Sequence, residues 1–220
     1  MHRAVLFDWD GTLADTRRVI VATFQRAVKE EIGVNVDASF IERRIGTGAA
    51  KTFSEILQNA GKPADEALIE KLLTKKVKAE ISMGDNVKLF LGARELLEAL
   101  QGKVKLALAS MNNRPVIEDL LDRMQLRSCF ETILTVEEVT KFKPAPEIFL
   151  KSAAKLHVKP EECVVIEDSI FGVQAARNGG MDCVAVLTGV YSRAELETAR
   201  PGLIVESLTE KTPILRFILQ

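Results

Sequence analysis

Asp8 and Asp10, two aspartates one residue apart, are the residues of this chain whose types and spacing most directly indicate chemistry. They lie in the segment DWDGT at residues 8–12, directly after the apolar run at residues 4–7. Charged carboxylates at the end of a buried strand are costly unless a cation or a proton compensates them. The arrangement therefore indicates a metal-assisted reaction on a phosphate group.

Four more polar residues lie where later strand-like runs end or in the loop after one. They are Ser110, Lys143, Glu167 and Asp168. In a doubly wound sheet the carboxyl ends of parallel strands meet at one crevice, which is where such folds bind ligands. We therefore expect these four side chains to converge on the two aspartates of the first motif.

Short apolar runs alternate with helical patterns along most of the chain, which is typical of a parallel sheet built from βαβ units. The predicted strands are residues 4–7, 104–109, 132–136, 163–166 and 183–187. Four segments with apolar residues at helical spacing separate the first two strands; they are residues 17–32, 40–44, 49–60 and 64–81. The pattern predicts an α/β fold with a catalytic core at residues 1–15 and 85–220 and an inserted all-helical cap domain at residues 16–84.

The four motifs, taken in order, resemble those of the haloacid dehalogenase superfamily of phosphotransferases. The motifs are DWDGT, Ser110, Lys143 in KPAPE, and Glu167 with Asp168 in EDSIFG. The resemblance covers nearly the whole chain, and the helical insertion is similar to the cap of the phosphoglycolate phosphatase and β-phosphoglucomutase subgroup. It implies a Rossmann-like doubly wound parallel sheet and a Mg²⁺-dependent phosphatase. Such an enzyme would hydrolyse a small phosphoglycolate-like or sugar-phosphate-like monoester through an aspartyl-phosphate.

The resemblance and the chemistry of the side chains together imply a role for each core residue. Asp8 is expected to attack phosphorus, and Asp10 to act as general acid toward the leaving alkoxide and general base toward water. Lys143 is expected to hold Asp8 ionised and to bind the phosphoryl oxygens. The predicted Mg²⁺ ligands are Asp8, the main-chain carbonyl of Asp10 and Asp168, with Glu167 behind them or among them.

Substrate contacts are expected from both the core and the cap. The predicted substrate-binding residues are Thr12, Arg44, Gly46, Ser110, Met111, Asn112 and Lys143. We expect Ser110 to donate its hydroxyl to the phosphoryl oxygens, and Thr12 to orient Asp10. Arg44 flanks the glycine-containing cap loop at residues 45–49. Its side chain either binds a carboxylate or second phosphate of the substrate or faces solvent.

Three alternatives stay open at this point. A phosphosugar mutase of the β-phosphoglucomutase type carries a histidine in the first cap helix and an arginine in the cap loop. The corresponding positions here are Ile20 and Ala49, which favours hydrolysis. A pyrophosphatase is the second alternative. The third is a phospho-receiver-like or metabolite-sensing module, although a receiver has no helical cap and phosphorylates an aspartate after a later strand.

Composition narrows the class of protein. With 47% apolar and 28% charged residues the chain is well outside the disordered range. A formal net charge of −1 predicts no nucleic-acid partner, and the lysine-rich residues 75–78 are interpreted as a solvated helix face. The lack of a long apolar run and of paired cysteines predicts no membrane partner and a cytoplasmic location. The expected partner is a small phosphorylated metabolite, and the expected state is a monomer or a homodimer.

Overall fold

A six-stranded parallel sheet with an apolar core on each face forms the centre of the computed structural model, which describes residues 1–220. The strands are β1 (Ala4–Phe7), β2 (Ala14–Asp15), β3 (Lys88–Leu89), β4 (Lys105–Ala109), β5 (Thr132–Leu134), β6 (Cys163–Glu167), β7 (Asp182–Val186) and β8 (Leu203–Val205). The helices are α1 (Arg17–Ile32), α2 (Ala38–Glu42), α3 (Ala49–Asn59), α4 (Glu66–Ser82), α5 (Ala93–Leu100), α6 (Arg114–Arg123), α7 (Glu147–Lys155), α8 (Ile170–Asn178), α9 (Arg193–Thr198) and α10 (Lys211–Leu219). The spatial order in the main sheet is β5-β4-β1-β6-β7-β8.

The first strand lies in the middle of this sheet because its side chains are apolar on both faces. All residues of β1 are fully buried, and successive ones contact the cores on opposite faces of the sheet. Phe7 pairs with Leu108 of β4 and with Ile166 of β6. The three central strands therefore end close together, and the loops that follow them meet at one edge.

The helices α1 to α4 form an insertion between β2 and β3 with an apolar cluster of its own. Phe24 of α1 and Phe53 of α3 lie in that cluster with ring centroids 4.5 Å apart. The two connections to the core run side by side, because β2 and β3 form a short antiparallel pair. The boundaries at residues 16–84 and at 1–15 with 85–220 stay a prediction.

Several predicted elements begin or end one or two residues away from their positions in the structure. The helix α2 begins at Ala38 because the Asp37 carboxylate accepts the Ser39 N–H at 2.8 Å. In the same way Asp65 accepts the Leu68 N–H at 2.8 Å, so α4 begins at Glu66, two residues later than predicted.

Other differences concern strands. The strand β5 ends two residues earlier than predicted, because the next residue, Thr135, forms a capping box with Glu138. Three short strands were not predicted from the sequence: β8, a three-residue edge strand, and the two-residue β2 and β3. None of the helices is both long and apolar enough to span a bilayer.

Candidate active site

The predicted core residues converge at the carboxyl ends of β1, β4 and β6. Asp8 and Asp10 follow β1, Ser110 follows β4, and Asp168 follows Glu167 at the end of β6. Every one of these side chains is buried, as is Lys143 from the loop before α7. The topology therefore places five carboxylate or hydroxyl groups and one ammonium group in a single crevice.

Lys143 links the two sides of this crevice. Its Nζ atom lies 2.6 Å from Asp8 Oδ1 and 2.7 Å from Glu167 Oε1. Burial by itself lowers the pKa of Lys143, but the negative charges and hydrogen bonds of its two partners more than offset this, so the pKa is raised. The lysine therefore stays charged and supplies a fixed cation beside Asp8.

The carboxylates of Asp8, Glu167 and Asp168 form a cluster whose ligand oxygens lie within 4.8 Å of one another. Three carboxylates and the single Lys143 ammonium leave a formal charge of −2. Burial raises the pKa of Asp8 to about 8, although Lys143 acts in the opposite direction. Burial raises the pKa of Asp168 as well. A divalent cation matches both the charge and the oxygen donors of this cluster.

The Asp168 carboxylate packs against two glycines, Gly11 and Gly189, at positions where any side chain would collide with it. A Cβ atom on Gly11 would come within 2.3 Å of its Oδ2 atom, and one on Gly189 within 2.0 Å. Its other oxygen accepts the hydroxyl of Thr12 at 3.2 Å. The expectation that Thr12 orients Asp10 is therefore wrong, because its hydroxyl is turned toward the fourth motif and holds Asp168.

Glu167 uses both of its oxygens within the protein. One accepts from Lys143, and the other accepts the backbone N–H groups of Asp168 and Ser169 and the Ser169 hydroxyl, at 2.8 to 2.9 Å. These bonds hold the carboxylate in place and shape the loop that presents Asp168. The geometry thus favours a position for Glu167 behind the predicted metal ligands.

Asp10 faces away from this cluster, toward the helical insertion. Its carboxylate accepts the Ser110 hydroxyl at 3.3 Å and the Asn112 amide at 3.4 Å. Burial raises the pKa of Asp10, and the charge of Glu80 on α4 raises it further. A raised pKa makes a carboxyl group better suited to hold a proton and donate it.

Two charged residues of α4 reach this site unexpectedly. Lys76 and Glu80 are 2% and 3% exposed, form an ion pair with each other, and contact Asn112 from the cap side. The interpretation of residues 75–78 as a solvated helix face is therefore wrong for Lys76, because the core loop after β4 covers it. The available signal is the spacing of four that places Leu72, Lys76 and Glu80 on one helical face.

A cavity of about 30 Å³ separates Asp10 from the cap. Its lining includes four of the predicted substrate-binding residues, namely Arg44, Gly46, Met111 and Asn112. Thr12 and Ser110 lie on the core side, where they contact the motif carboxylates as described above. The cavity lies next to Asp10, on the side of the site that faces the helical insertion.

The family comparison agrees with this geometry. The sequence model of the family described as haloacid dehalogenase-like hydrolase matches residues 5–186, which is most of the chain. The chain belongs to the haloacid dehalogenase-like hydrolase family. The predicted family and the prediction of an enzyme of this type are therefore confirmed.

Named relatives of this hydrolase have several activities. The chloroplastic SUPPRESSOR OF QUENCHING 1 of Arabidopsis thaliana is 36% identical over 217 residues, which are 93% of this chain and 20% of that protein. The chain thus spans about a fifth of that relative. Fructose-1-phosphate phosphatase YqaB of Escherichia coli is 29% identical over 188 residues, covering 84% of this chain and 96% of the relative. Pyrophosphatase PpaX of Bacillus anthracis is 27% identical over 213 residues, covering 96% and 95%.

Solved structures resemble this hydrolase over its whole length. A hydrolase from Pseudomonas syringae has a TM-score of 0.89 and 28% identity, and the match covers 98% of this chain and 99% of that one. CbbY from Rhodobacter sphaeroides, solved in complex with phosphate, has a TM-score of 0.85 and 26% identity, covering 96% and 97%. The predicted fold class, a doubly wound sheet with a helical cap, is confirmed.

Proposed function

We propose that this hydrolase is a Mg²⁺-dependent phosphatase that cleaves a small phosphomonoester through an aspartyl-phosphate on Asp8. The observation that carries the proposal is the buried contact of 2.6 Å between Asp8 and the Lys143 ammonium, with Asp10 on the opposite side of the site. A nucleophile held by a fixed cation and an acid aimed at the leaving group are the two parts that such a reaction needs.

In the first step, a carboxylate oxygen of Asp8 forms a bond to phosphorus while the ester oxygen leaves. Asp10 gives its proton to that oxygen, so the leaving group departs as an alcohol. Lys143 and the Ser110 hydroxyl bind the phosphoryl oxygens and stabilise the charge that develops on them. The product of this step is the aspartyl-phosphate, and Asp10 is now a carboxylate.

In the second step, water attacks phosphorus and the bond to Asp8 breaks. Asp10 accepts the proton of that water, which restores both aspartates to their starting states. Phosphate then leaves the crevice. One residue thus serves both half-reactions, which its position between Ser110, Asn112 and the cap cavity allows.

The residues present fit a magnesium ion. Asp8 and Asp168, with the main-chain carbonyl of Asp10, would hold it, and Glu167 would support them through Lys143 and the Ser169 loop. A bound Mg²⁺ offsets the repulsion between an anionic nucleophile and an anionic substrate. We further propose that residues 16–84 act as a cap that closes over the substrate and excludes water.

Hydrolysis is favoured over transfer to a second site on a sugar phosphate. The positions at which β-phosphoglucomutases carry their cap histidine and arginine are Ile20 and Ala49, and both line the cavity. Neither side chain can bind a second phosphate group. A mutase would need such a contact to hold a doubly phosphorylated intermediate.

The test is phosphate release from a panel of phosphomonoesters with and without EDTA. We expect turnover with Mg²⁺ and none after chelation, because two uncompensated carboxylates would face the substrate anion. Replacing Asp8→Asn removes the nucleophile and should abolish turnover. Asp10→Asn should slow it by about 10²-fold or more while Mg²⁺ binding persists, since the main-chain carbonyl remains. Full activity in EDTA, or in Asp8→Asn, would refute the proposal.

A further inference from the structure

We propose that the cap pair Lys76 and Glu80 selects substrates whose leaving group is uncharged and hydroxylated, as in a polyol or sugar phosphate. The inference rests on the proposed function and names its substrate class. Both side chains lie beside Asp10 and Asn112, where the leaving group must sit. The relatives named above act on both kinds of leaving group, so the choice has to come from residues of this chain.

The cations that line the cavity are already paired with carboxylates of the cap. The lining contains two cations, Lys76 and Arg44, and each already has a carboxylate partner within the cap. Lys76 is paired with Glu80, and Arg44 donates to Glu55 and to the Phe40 carbonyl. The one other ionisable group in the lining is Asp10, which is acidic. A second anion would therefore meet no free cation there.

An anionic leaving group would be unfavourable in this setting. A carboxylate or a second phosphate at the cavity would be buried close to Glu80 and Asp10 without a cation of its own. Charge repulsion of this kind is an effective means of rejecting a competing substrate. Phosphoglycolate and pyrophosphate both carry such a group.

Hydroxyl groups fit the same surroundings. A hydroxyl in the cavity can accept from the Lys76 ammonium, whose charge the adjacent Glu80 carboxylate compensates. The apolar side chains of Ile20, Phe24 and Ile41 line the rest of the cavity and can contact the C–H groups of a short carbon chain. The cavity thus offers partners for both the hydroxyl groups and the C–H groups of a polyol phosphate.

The pair does not depend on the position of the cap. Lys76 and Glu80 are four residues apart on α4, so their ion pair moves with that helix. Their contacts with Asn112, at 3.2 and 3.4 Å, join the cap to the core loop after β4. A substrate therefore meets a compensated pair both before and after closure.

The experiment compares two esters that differ only in this charge. In 2-hydroxyethyl phosphate a CH₂OH group replaces the carboxylate of phosphoglycolate, and the rest of the molecule is the same. We expect kcat/KM with Mg²⁺ to be at least tenfold higher for the hydroxyethyl ester. Glycerol 1-phosphate, with an uncharged leaving group, and pyrophosphate, with an anionic one, form a second comparison. We expect kcat/KM to be higher for glycerol 1-phosphate.

The variant Glu80→Gln keeps the shape of the side chain and leaves the Lys76 charge without its partner. We expect kcat/KM for phosphoglycolate to rise, because the unpaired Lys76 can now bind its carboxylate. The ratio of kcat/KM for 2-hydroxyethyl phosphate to that for phosphoglycolate should therefore fall at least tenfold. Using the ratio removes any effect of the substitution that both esters share. Glu70→Gln, an exposed position on the same helix, is the matched control and should leave the ratio unchanged.

The outcomes separate this inference from the proposed function. If the wild-type enzyme cleaves these esters but prefers phosphoglycolate, or if Glu80→Gln leaves the ratio unchanged, the role of the pair is refuted and the phosphatase stands. If no ester, including p-nitrophenyl phosphate, releases phosphate with Mg²⁺, both proposals fail. The wild-type ratio decides even if the variant does not fold.

Discussion

At the scale of single residues, Lys143 has the largest electrostatic consequences. It is fully buried and contacts Asp8 and Glu167, so it balances charges that would otherwise repel each other. Breaking a buried ion pair by removing one partner is much more costly than losing a surface pair, because the remaining charge stays buried. The lysine should therefore matter for stability as well as for catalysis.

We expect Lys143→Met to lower the free energy of unfolding by about 3–5 kcal/mol in EDTA, and to reduce turnover by at least about 10²-fold. Denaturation can be followed by the fluorescence of Trp9, the single tryptophan, which is fully buried. Lys141→Met, at an exposed position of the same loop, should change neither quantity. Equal losses in the two variants would contradict the assignment of Lys143.

Glu80 should also affect the pH dependence through Asp10. Burial raises the pKa of Asp10 first, and the Glu80 charge adds to this, while Lys76 acts in the opposite direction. In the proposed first step Asp10 must carry a proton, so kcat/KM falls as pH rises through its pKa. Removing the Glu80 charge lowers that pKa.

The alkaline limb of the kcat/KM profile should therefore move to lower pH in Glu80→Gln. The profile is measured with 2-hydroxyethyl phosphate, whose leaving group needs a proton. Glu70→Gln serves as the control and should follow the wild-type curve. A limb at the wild-type pH in Glu80→Gln would show that its charge does not act on Asp10.

At the scale of elements, the first turn of α8 is fitted against the fourth motif. The Ser169 hydroxyl caps this helix by accepting the Gly172 N–H at 3.0 Å. A Cβ atom on Gly172 would lie 1.7 Å from Glu167 Oε1, the oxygen that accepts from Lys143. The glycine thus lets the helix approach the carboxylate that fixes the lysine.

Because of this contact, we expect a glycine-to-alanine substitution at position 172 to have the opposite of its usual effect on stability. Replacing glycine by alanine inside a helix normally stabilises it by about 1 kcal/mol. We expect Gly172→Ala to destabilise instead, by about 1–3 kcal/mol, and to lower turnover because Glu167 and Lys143 are displaced. Gln174→Ala on the same helix should affect both much less. A more stable Gly172→Ala protein would rule out the close approach.

The elements also show which features a sequence can predict. Strands such as β1 and β6 are recognisable because burial on both faces requires continuous apolar runs, and the position of polar residues after them predicts their convergence. The burial of Lys76 is set by Asn112, 36 residues away, and the partner of Thr12 lies 156 residues away. Helical spacing places Lys76 on the same face as Leu72, but local patterns do not identify the distant residue that covers that face.

At the scale of the whole molecule, binding of a cation should couple to folding. The cluster of Asp8, Glu167 and Asp168 draws on residues more than 150 positions apart, so only the folded chain can assemble it. A ligand that binds only the folded state at about 100 times its Kd adds about 2.7 kcal/mol of stability. For a chain of this size that corresponds to an increase in Tm of roughly 5–10 °C.

We therefore expect Mg²⁺ to raise the Tm of the wild-type protein relative to EDTA, as measured by Trp9 fluorescence. Asp168→Asn removes one oxygen anion of the cluster and should lose most of this increase. Asp122→Asn, at an exposed position of α6, should retain it. An equal response in both variants would locate the binding ion elsewhere.

The short pair of β2 and β3 constrains the cap closure proposed above. The chain enters and leaves the cap through these strands, where Ala14 lies opposite Leu89 and Asp15 opposite Lys88. Two separate tethers would let the four helices twist or slide over the sheet. The two connections are hydrogen-bonded to each other and would therefore act as a single hinge. A cap motion that keeps the pair intact would be a rotation about that hinge. In the closure proposed above, rotation about this pair would return Lys76 to Asn112 each time the cap closes.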